Sequence, residues 1–305
     1  MENIYRKVIV LIILLNLIIS GKIHSQESNK LPFFVFNNGV EDENFDTPEK
    51  QAKLLNQIGF DGMEKKGIDG LEKTIKALEN QNLQLYTIYI NINLDDDKNP
   101  FDPRLEEVFK MIEGKGTMPW FYITSKKYEP SSSENDNIAL PILQRIADMA
   151  NKYDVKVMIY PHVNFWVHNV QDAVRVVKKA NRKNLGITFN LCHFLADAGV
   201  QSSELFLPLL EKSMPYVFAI SLNGADAPTD EIIESGNLWK HLIQPLGEGD
   251  YNTFSYLKAF LDRGFDGPVG LQCYNIKEEK PIHLTKSMTT WKEYQKKSGI
   301  NKSAP

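Results

Sequence analysis

The stretch that decides the fold begins with VKVMIYPHVNFW at Val155 and ends with NLGITFNLCHF at Phe194, around a helix-length segment at Val170–Ala180. Two apolar, β-branched-rich runs that flank one helix-length segment are typical of a βαβ unit with parallel strands. A histidine follows each run, His162 after the first and His193 after the second. Either histidine alone could simply close its strand. Because the carboxyl ends of parallel strands line one common crevice, the two together favour a site.

Outward from this stretch, strand-like runs alternate with helix-like segments across the whole chain. The other predicted strands are Pro32–Phe36, Phe60–Glu64, Leu83–Ile92, Thr117–Thr124, Tyr216–Leu222 and Val269–Cys273. Eight strands with helix-length crossovers predict a closed parallel (β/α)8 TIM barrel. A doubly wound open sheet is the alternative. The chain has no G-x-G-x-x-G or Walker loop after its first strand, which argues against that alternative.

The composition and charge of the chain limit the classes of protein to which it can belong. The chain has 305 residues, 42% of them hydrophobic and 24% charged, with a formal net charge of −4 and a pI of about 5.9. These are ordinary values for a globular protein, and a single barrel takes about 250 residues. Because the pI is acidic and the sequence has no basic cluster, we do not expect the protein to bind nucleic acid.

The first 25 residues have the layout of a secretory signal peptide. Arg6 and Lys7 precede the apolar run Val8–Ser20, and Ser25 offers a small residue before Gln26. We therefore predict a signal peptide over 1–25 and a single TIM-barrel domain over 26–305. The mature protein is expected to be exported, periplasmic or secreted, with no stable membrane insertion after cleavage. An uncleaved membrane anchor is the alternative, although the apolar run is short for a span.

Two cysteines, Cys192 and Cys273, fall at the ends of predicted strands six and eight. These strands are not neighbours in a barrel, so we expect free, buried thiols rather than a disulfide.

The predicted strand ends carry mostly amide, hydroxyl, imidazole and aromatic groups. Such uncharged groups suit a polyhydroxylated, uncharged ligand such as a sugar. Two roles are compatible with Glu64: it could act as a base, or it could pair with Lys65 or Lys66. The predicted catalytic residues are His162, His193 and Tyr160, and the predicted substrate-binding residues are Asn37, Asn38, Glu64, Tyr89, Trp166, Asn190, Asn223, Gln272 and Tyr274.

Four motifs give the chain a resemblance to a known family. They are Ile58–Gly62 (IGFDG), Asn190–His193 (NLCH), Pro245–Asp250 (PLGEGD) and Phe265–Gly267 (FDG). With them the chain, from about Leu31 to Trp291, resembles the xylose isomerase-like TIM barrels, also described as sugar phosphate isomerases/epimerases.

The resemblance implies one divalent metal held by Glu, Asp, His and Glu on strands five to eight. The matching positions are Tyr160, Asn190, Ser221 and Gln272, and none is a carboxylate or imidazole. Since Mg²⁺ and Mn²⁺ prefer anionic oxygen ligands, the metal mechanism of the family does not carry over. No metal or other cofactor is expected. The alternative is a relocated divalent metal at His162 and His193, with Glu64 as a third ligand.

Without that metal, neutral histidines can act as base and acid near pH 7. His193 matches a position that binds substrate in the family. Tyr160 could donate to a carbonyl oxygen, and Asn190, Asn223 and Gln272 could hold an oxyanion. These groups predict an exported sugar isomerase or epimerase that abstracts a proton next to the carbonyl of a sugar or keto-sugar. The alternatives are a keto-sugar lyase or hydratase and a non-catalytic carbohydrate-binding barrel.

Overall fold

In the computed structural model, which describes residues 31–299, eight parallel strands close into one barrel. Each strand pairs with the next along the chain, and the pairing of Phe34 with Gly270 joins the last strand to the first. The prediction of a (β/α)8 barrel is confirmed. The strands are β1 Phe33–Val35, β2 Gly62–Lys66, β3 Gln84–Asn93, β4 Trp120–Thr124, β5 Val157–Ile159, β6 Leu185–Asn190, β7 Val217–Leu222 and β8 Val269–Leu271.

Helices connect the strands of the described chain. They are α1 Pro48–Ile58, α2 Leu71–Glu79, α3 Leu105–Ile112, α4 Asp136–Asn151, α5 Val170–Ala180, α6 Leu191–Ala198, α7 Ser202–Ser213, α8 Asp230–Glu234, α9 Leu238–Leu242, α10 Thr253–Leu261 and α11 Lys280–Ser298. Local sequence sets their ends. Thr47 accepts a hydrogen bond from the Lys50 backbone N–H at the start of α1, and Gly59 ends that helix with φ of 98°.

An aromatic cluster fills the barrel interior. Its members are Phe34, Phe36, Tyr86, Trp120, Met158, Tyr160 and Ala219, all at most 9% exposed. Gly270 makes room for it, because a Cβ there would lie 2.6 Å from Phe36 Cε1. Ring centroids of Trp120 lie 5.0 Å from Phe36 and 5.1 Å from Tyr160. This cluster closes the barrel below the strand ends.

The two strands that precede the histidines end differently. β5 stops at Ile159, before Pro161, which has no N–H for the ladder. β6 ends at Asn190, and α6 begins directly at Leu191. His193 therefore lies in the first turn of a helix rather than at the tip of a strand.

Residues Leu31–Tyr294 form one compact unit. The predicted signal peptide over 1–25 and the outer limits of the predicted domain lie outside the described residues, so both stay predictions. No helix within residues 31–299 is both long enough and apolar enough to cross a membrane. Cys192 and Cys273 are free and buried, as predicted.

Candidate functional site

A cavity of about 580 Å³ lies at the carboxyl ends of the strands. This volume falls within the range of small-molecule sites. Of the predicted site residues it is lined by Asn37, Asn38, Glu64, Tyr89, Tyr160, His162, His193, Gln272 and Tyr274. Phe36 and Tyr160 belong to both the cavity wall and the aromatic cluster, so the cluster forms the cavity floor.

His162 and His193 lie side by side on one wall, with ring centroids 4.1 Å apart. The His162 ring also stacks on Phe165 at 3.9 Å with an interplanar angle of 12°, which fixes its plane. The two candidate histidines therefore lie in contact at the cavity.

The tautomer of His162 follows from its contacts. Nδ1 lies 2.8 Å from the Val163 carbonyl oxygen, and a carbonyl can only accept, so Nδ1 carries the hydrogen. Burial lowers the pKa of His162, an effect partly opposed by this hydrogen bond. The ring is consequently neutral near pH 7, and its Nε2 lone pair is available as a base.

His193 is more deeply buried, at 6% exposed. Its ring makes edge contacts with Tyr160 at 5.6 Å and Trp239 at 5.4 Å, and Nδ1 has no hydrogen-bond partner within residues 31–299. Burial lowers the pKa of His193 well below its ordinary value, and the proximity of His162 lowers it further. The helix N-terminus also disfavours a positive charge there. This imidazole too is neutral.

Tyr160 is held as a neutral phenol on the cavity floor. Burial raises the pKa of Tyr160 well above its ordinary value, and the neighbouring Cys192, Tyr89 and Glu64 add to the effect. Gln272 Nε2 donates to its hydroxyl oxygen at 3.5 Å, and the hydroxyl can donate its own hydrogen to a ligand.

The Gln272 amide is locked in place. Its Oε1 accepts from Asn38 Nδ2 at 2.7 Å and from the backbone N–H groups of Cys273 and Tyr274, each at 2.9 Å. Lys280 Nζ donates to the Asn38 carbonyl oxygen at 2.9 Å, which fixes the Asn38 side of this arrangement.

Glu64 is a buried carboxyl in the cavity wall, at 5% exposed. Its Oε1 accepts a long 3.4 Å contact from the Asn37 backbone N–H, and its Oε2 has no partner within the described chain. Burial raises the pKa of Glu64 to about 8. The Trp120 indole N–H is near enough to oppose that rise slightly, although it makes no hydrogen bond of normal geometry. The expected alternative, a pairing with Lys65 or Lys66, does not form in residues 31–299.

Three predicted binding residues do not line the cavity. Trp166 is 1% exposed, and its indole N–H donates to Ser132 Oγ at 3.1 Å. Asn190 Nδ2 donates to the Pro161 carbonyl oxygen at 3.2 Å. Asn223 Nδ2 donates to backbone carbonyls of Gly224 and Leu242, each at 2.7 Å. Because their N–H groups serve internal hydrogen bonds, these side chains brace the strand ends rather than face a ligand.

Five lining residues were missed in the sequence: Phe36, Glu41, Lys66, Trp239 and Ile243. Lys66 lies two positions after Glu64 on β2, and the period of two along a strand could have revealed it. Trp239 lies in α9 and Ile243 directly follows it, and a helix of five residues is too short to give a periodic signal.

The residues at the metal positions of the resembled family do not suit a divalent cation. Asn190 Oδ1 accepts from Ser221 Oγ at 3.0 Å and from Thr188 Oγ1 at 3.2 Å, so its oxygen is already used. The Gln272 Oε1 atom likewise already accepts hydrogen bonds within the protein. None of these side chains is anionic. Within residues 31–299 there is also no group of three or more His, Cys, Asp or Glu side chains placed to hold a metal ion. His162, His193 and Glu64 therefore do not converge as a ligand set.

A closed (β/α)8 barrel with its polar cavity at the carboxyl ends of the strands is the arrangement of TIM-barrel enzymes. The sequence profile described as xylose isomerase-like TIM barrel matches residues 52–293. The chain belongs to this family.

Solved structures with the same fold include a xylose isomerase-like TIM barrel protein from Mycobacterium smegmatis in complex with magnesium. It has a TM-score of 0.66 and 13% identity, and the match covers 90% of this chain and 99% of that one. A D-allulose 3-epimerase from Methylomonas sp. in complex with D-allulose has a TM-score of 0.65 and 14% identity, covering 87% and 97%. The probable 3-DHS dehydratase AsbF from Bacillus anthracis has a TM-score of 0.64 and 13% identity, covering 86% and 99%.

A fusion of a xylose isomerase-like TIM barrel with a 4-hydroxyphenylpyruvate dioxygenase also matches, with a TM-score of 0.65 and 14% identity. The match covers 88% of this chain and 43% of the fusion. At these identities the likeness shows the shared fold. No curated protein matches the chain.

Proposed function

We propose that this protein is a sugar isomerase or epimerase that removes a proton next to the carbonyl of a sugar or keto-sugar. The observation that carries the proposal is His162, which lines a cavity of about 580 Å³ beside a second neutral imidazole and whose Nδ1 bonds the Val163 carbonyl, so that Nε2 holds the ring lone pair. A base of this kind is most effective when its pKa lies near the working pH. The sugar epimerase on the same fold is consistent with this reaction class.

The substrate class follows from the charge of the cavity. Its imidazoles are neutral, Tyr160 is a neutral phenol, and the formally charged Glu41 and Lys66 oppose each other in sign. An uncharged polyol is therefore favoured over a phosphorylated one. Tyr274, 52% exposed, and Trp239 offer ring faces on which a sugar can stack.

Each residue then has a role in proton transfer. His162 Nε2 takes the proton from the carbon next to the carbonyl, and the C–H electron pair moves to form an enolate. The Tyr160 hydroxyl donates to the developing oxyanion, which a buried neutral donor stabilises more strongly than water does. The His193 ring contacts those of Tyr160 and His162. It transfers a proton to or from a hydroxyl group of the same intermediate.

The proposal includes export of the enzyme. It is supported by the sequence of the first 25 residues, in which a basic start precedes an apolar run and a small residue.

A keto-sugar lyase is the second candidate, favoured by the dehydratase among the solved structures with this fold. It shares the first step, since loss of a β-hydroxyl also begins with proton removal next to a carbonyl.

Solvent exchange tests the proposal. The purified protein is incubated in D2O with a panel of unphosphorylated aldoses, ketoses and keto-sugars, and deuterium at the carbon next to the carbonyl is followed by NMR. The wild type should exchange at least one sugar, and His162→Gln should lower the rate by about 10²- to 10⁴-fold. His241→Gln is the matched control, because His241 bonds Asp226 at 2.7 Å and does not line the cavity.

Three other outcomes decide among the alternatives. An unsaturated product with loss of water identifies the lyase. Saturable binding of a sugar without any exchange identifies a carbohydrate-binding barrel and refutes the proposed reaction. Exchange that persists unchanged in His162→Gln refutes the role of that residue.

A further inference from the structure

Glu64 stands apart from the other buried carboxylates of the described chain. Asp136 is held by Arg175 Nε at 3.2 Å and by Lys179 Nζ at 2.6 Å, and Asp172 pairs with Arg175 Nη1. Glu64 has no such cation, although an ionised carboxylate buried without one is strongly disfavoured. An unpaired carboxyl that lines a ligand-sized cavity is a candidate for chemistry.

The strand order places Glu64 across the cavity from the histidines. It lies on β2, and His162 and His193 follow β5 and β6. In a barrel of eight strands, β6 is the fourth strand from β2 in either direction, and β5, which precedes His162, is the third in the shorter direction. A ligand in the cavity therefore lies between the Glu64 carboxyl and the imidazole wall.

The groups that face Glu64 leave it in its protonated form near pH 7. It is approached by the Asn37 backbone N–H after β1, Tyr89 on β3, Trp120 on β4 and Tyr160 after β5, and all are uncharged. Lys66, on its own strand, opposes the effect of burial only in part, and the pKa stays raised to about 8. Glu41, exposed at the cavity rim, accepts from Asn37 Nδ2.

We propose that Glu64 is a second catalytic residue, an acid that protonates the substrate on the face opposite the histidines and so makes the reaction an epimerisation next to the carbonyl. This role rests on the proposed function.

The two proton transfers balance. His162 Nε2 takes the proton from one face of the carbon, the C–H pair forms the enolate C=C bond, and the carbonyl π pair moves to oxygen. The Glu64 O–H then gives its proton to the opposite face of that carbon, while the C=O bond re-forms. Imidazolium and carboxylate remain, and solvent returns a proton to Glu64 and takes one from His162.

The test separates exchange from inversion in D2O, with Glu204→Gln as the control because Glu204 is exposed on α7. In Glu64→Gln the enolate can be reprotonated only from the His162 side. Epimer formation should fall by about 10²- to 10⁴-fold, while deuterium uptake with retained configuration stays within about tenfold of the wild type. Glu204→Gln should match the wild type in both.

The outcomes that contradict the role are distinct from those that contradict the function. Epimer formation that is unchanged in Glu64→Gln, or that falls by the same factor as exchange, overturns the catalytic role alone. A wild type that exchanges no sugar proton overturns the proposed function and this role with it. Infrared difference spectra of wild type minus Glu64→Gln at pH 7 should show a carboxylic C=O band. A carboxylate band in its place overturns the acid role.

Discussion

Replacing Glu64 by Gln exchanges a buried carboxyl for an uncharged side chain of nearly the same shape. In the unfolded chain this carboxyl titrates near its ordinary pKa of 4.5, and burial raises the folded pKa to about 8. Between these values the folded protein binds more protons than the unfolded chain. The free energy of unfolding of the wild type must therefore fall as the pH rises through this window, and the contribution is flat outside it.

The magnitude follows from the size of the shift. Each pKa unit corresponds to about 1.4 kcal/mol. The raised pKa of Glu64 therefore lowers the free energy of unfolding by about 4 kcal/mol at pH 8, relative to low pH. At pH 5 the same group costs only about 1 kcal/mol, because pH 5 lies about half a unit above the unfolded pKa of 4.5. The Glu64→Gln variant lacks this cost. Relative to the wild type it should gain about 3 kcal/mol between pH 5 and pH 8.

Urea unfolding of both proteins at pH 5, 6, 7 and 8 measures this difference, and the contributions of all other titrating groups cancel in it. Glu204→Gln, tested in parallel, is the control for the loss of one exposed carboxyl. A difference between wild type and Glu64→Gln that stays constant within about 0.5 kcal/mol from pH 5 to pH 8 would show that Glu64 titrates normally in the folded protein. The reasoning from burial would then fail.

Four further predictions follow from the sequence and the structure. His193→Ala should lower kcat/KM by about 10²- to 10⁴-fold, and a loss below tenfold would contradict its role in proton transfer. EDTA should leave activity unchanged, because the donors at the family's metal positions are neutral and internally bonded; stoichiometric metal by elemental analysis, with activity restored by that metal, would contradict this. Arg175→Met should lower the free energy of unfolding by about 3 kcal/mol, because it leaves buried Asp172 unpaired, whereas Arg104→Met at an exposed ion pair should cost less than about 1 kcal/mol. Intact-mass measurement after expression in an exporting host should give a chain that begins near Gln26, and a full-length mass would refute the signal peptide.

The sequence was sufficient to predict the barrel. Apolar runs separated by helix-length segments imply parallel strands, and parallel strands bring their carboxyl ends to one face. This pattern favoured a shared site for His162 and His193, but their ring contact also depends on α6, whose first turn holds His193.

Other parts of the site depend on contacts that a sequence pattern does not contain. Asn190 and Asn223 have the right residue type at the right strand ends, but their amide hydrogens are taken by backbone carbonyls of Pro161 and Leu242. Trp239 reaches the cavity from α9, a helix of five residues that is too short for its period to mark a facing residue. For the same reason the pairing state of Glu64 could not be predicted, since it depends on where Lys65 and Lys66 point.

The neutral residues at the family's metal positions and the buried Glu64 belong to one account of the chemistry. A Mg²⁺ or Mn²⁺ site would need anionic ligands, whereas here Ser221 donates to Asn190 and Asn38 donates to Gln272. In this cavity, burial rather than a metal ion shifts the pKa values of the proposed acid and base. It lowers the pKa of both histidines and raises that of Glu64 to about 8, which reverses the ordinary order of imidazole and carboxyl. Near pH 7 the cavity thus holds unprotonated bases on one wall and a protonated acid on the other. When the environments of two groups push their pKa values apart in this way, they assign the base and the acid, and His162 and Glu64 satisfy that condition without a charged ligand set.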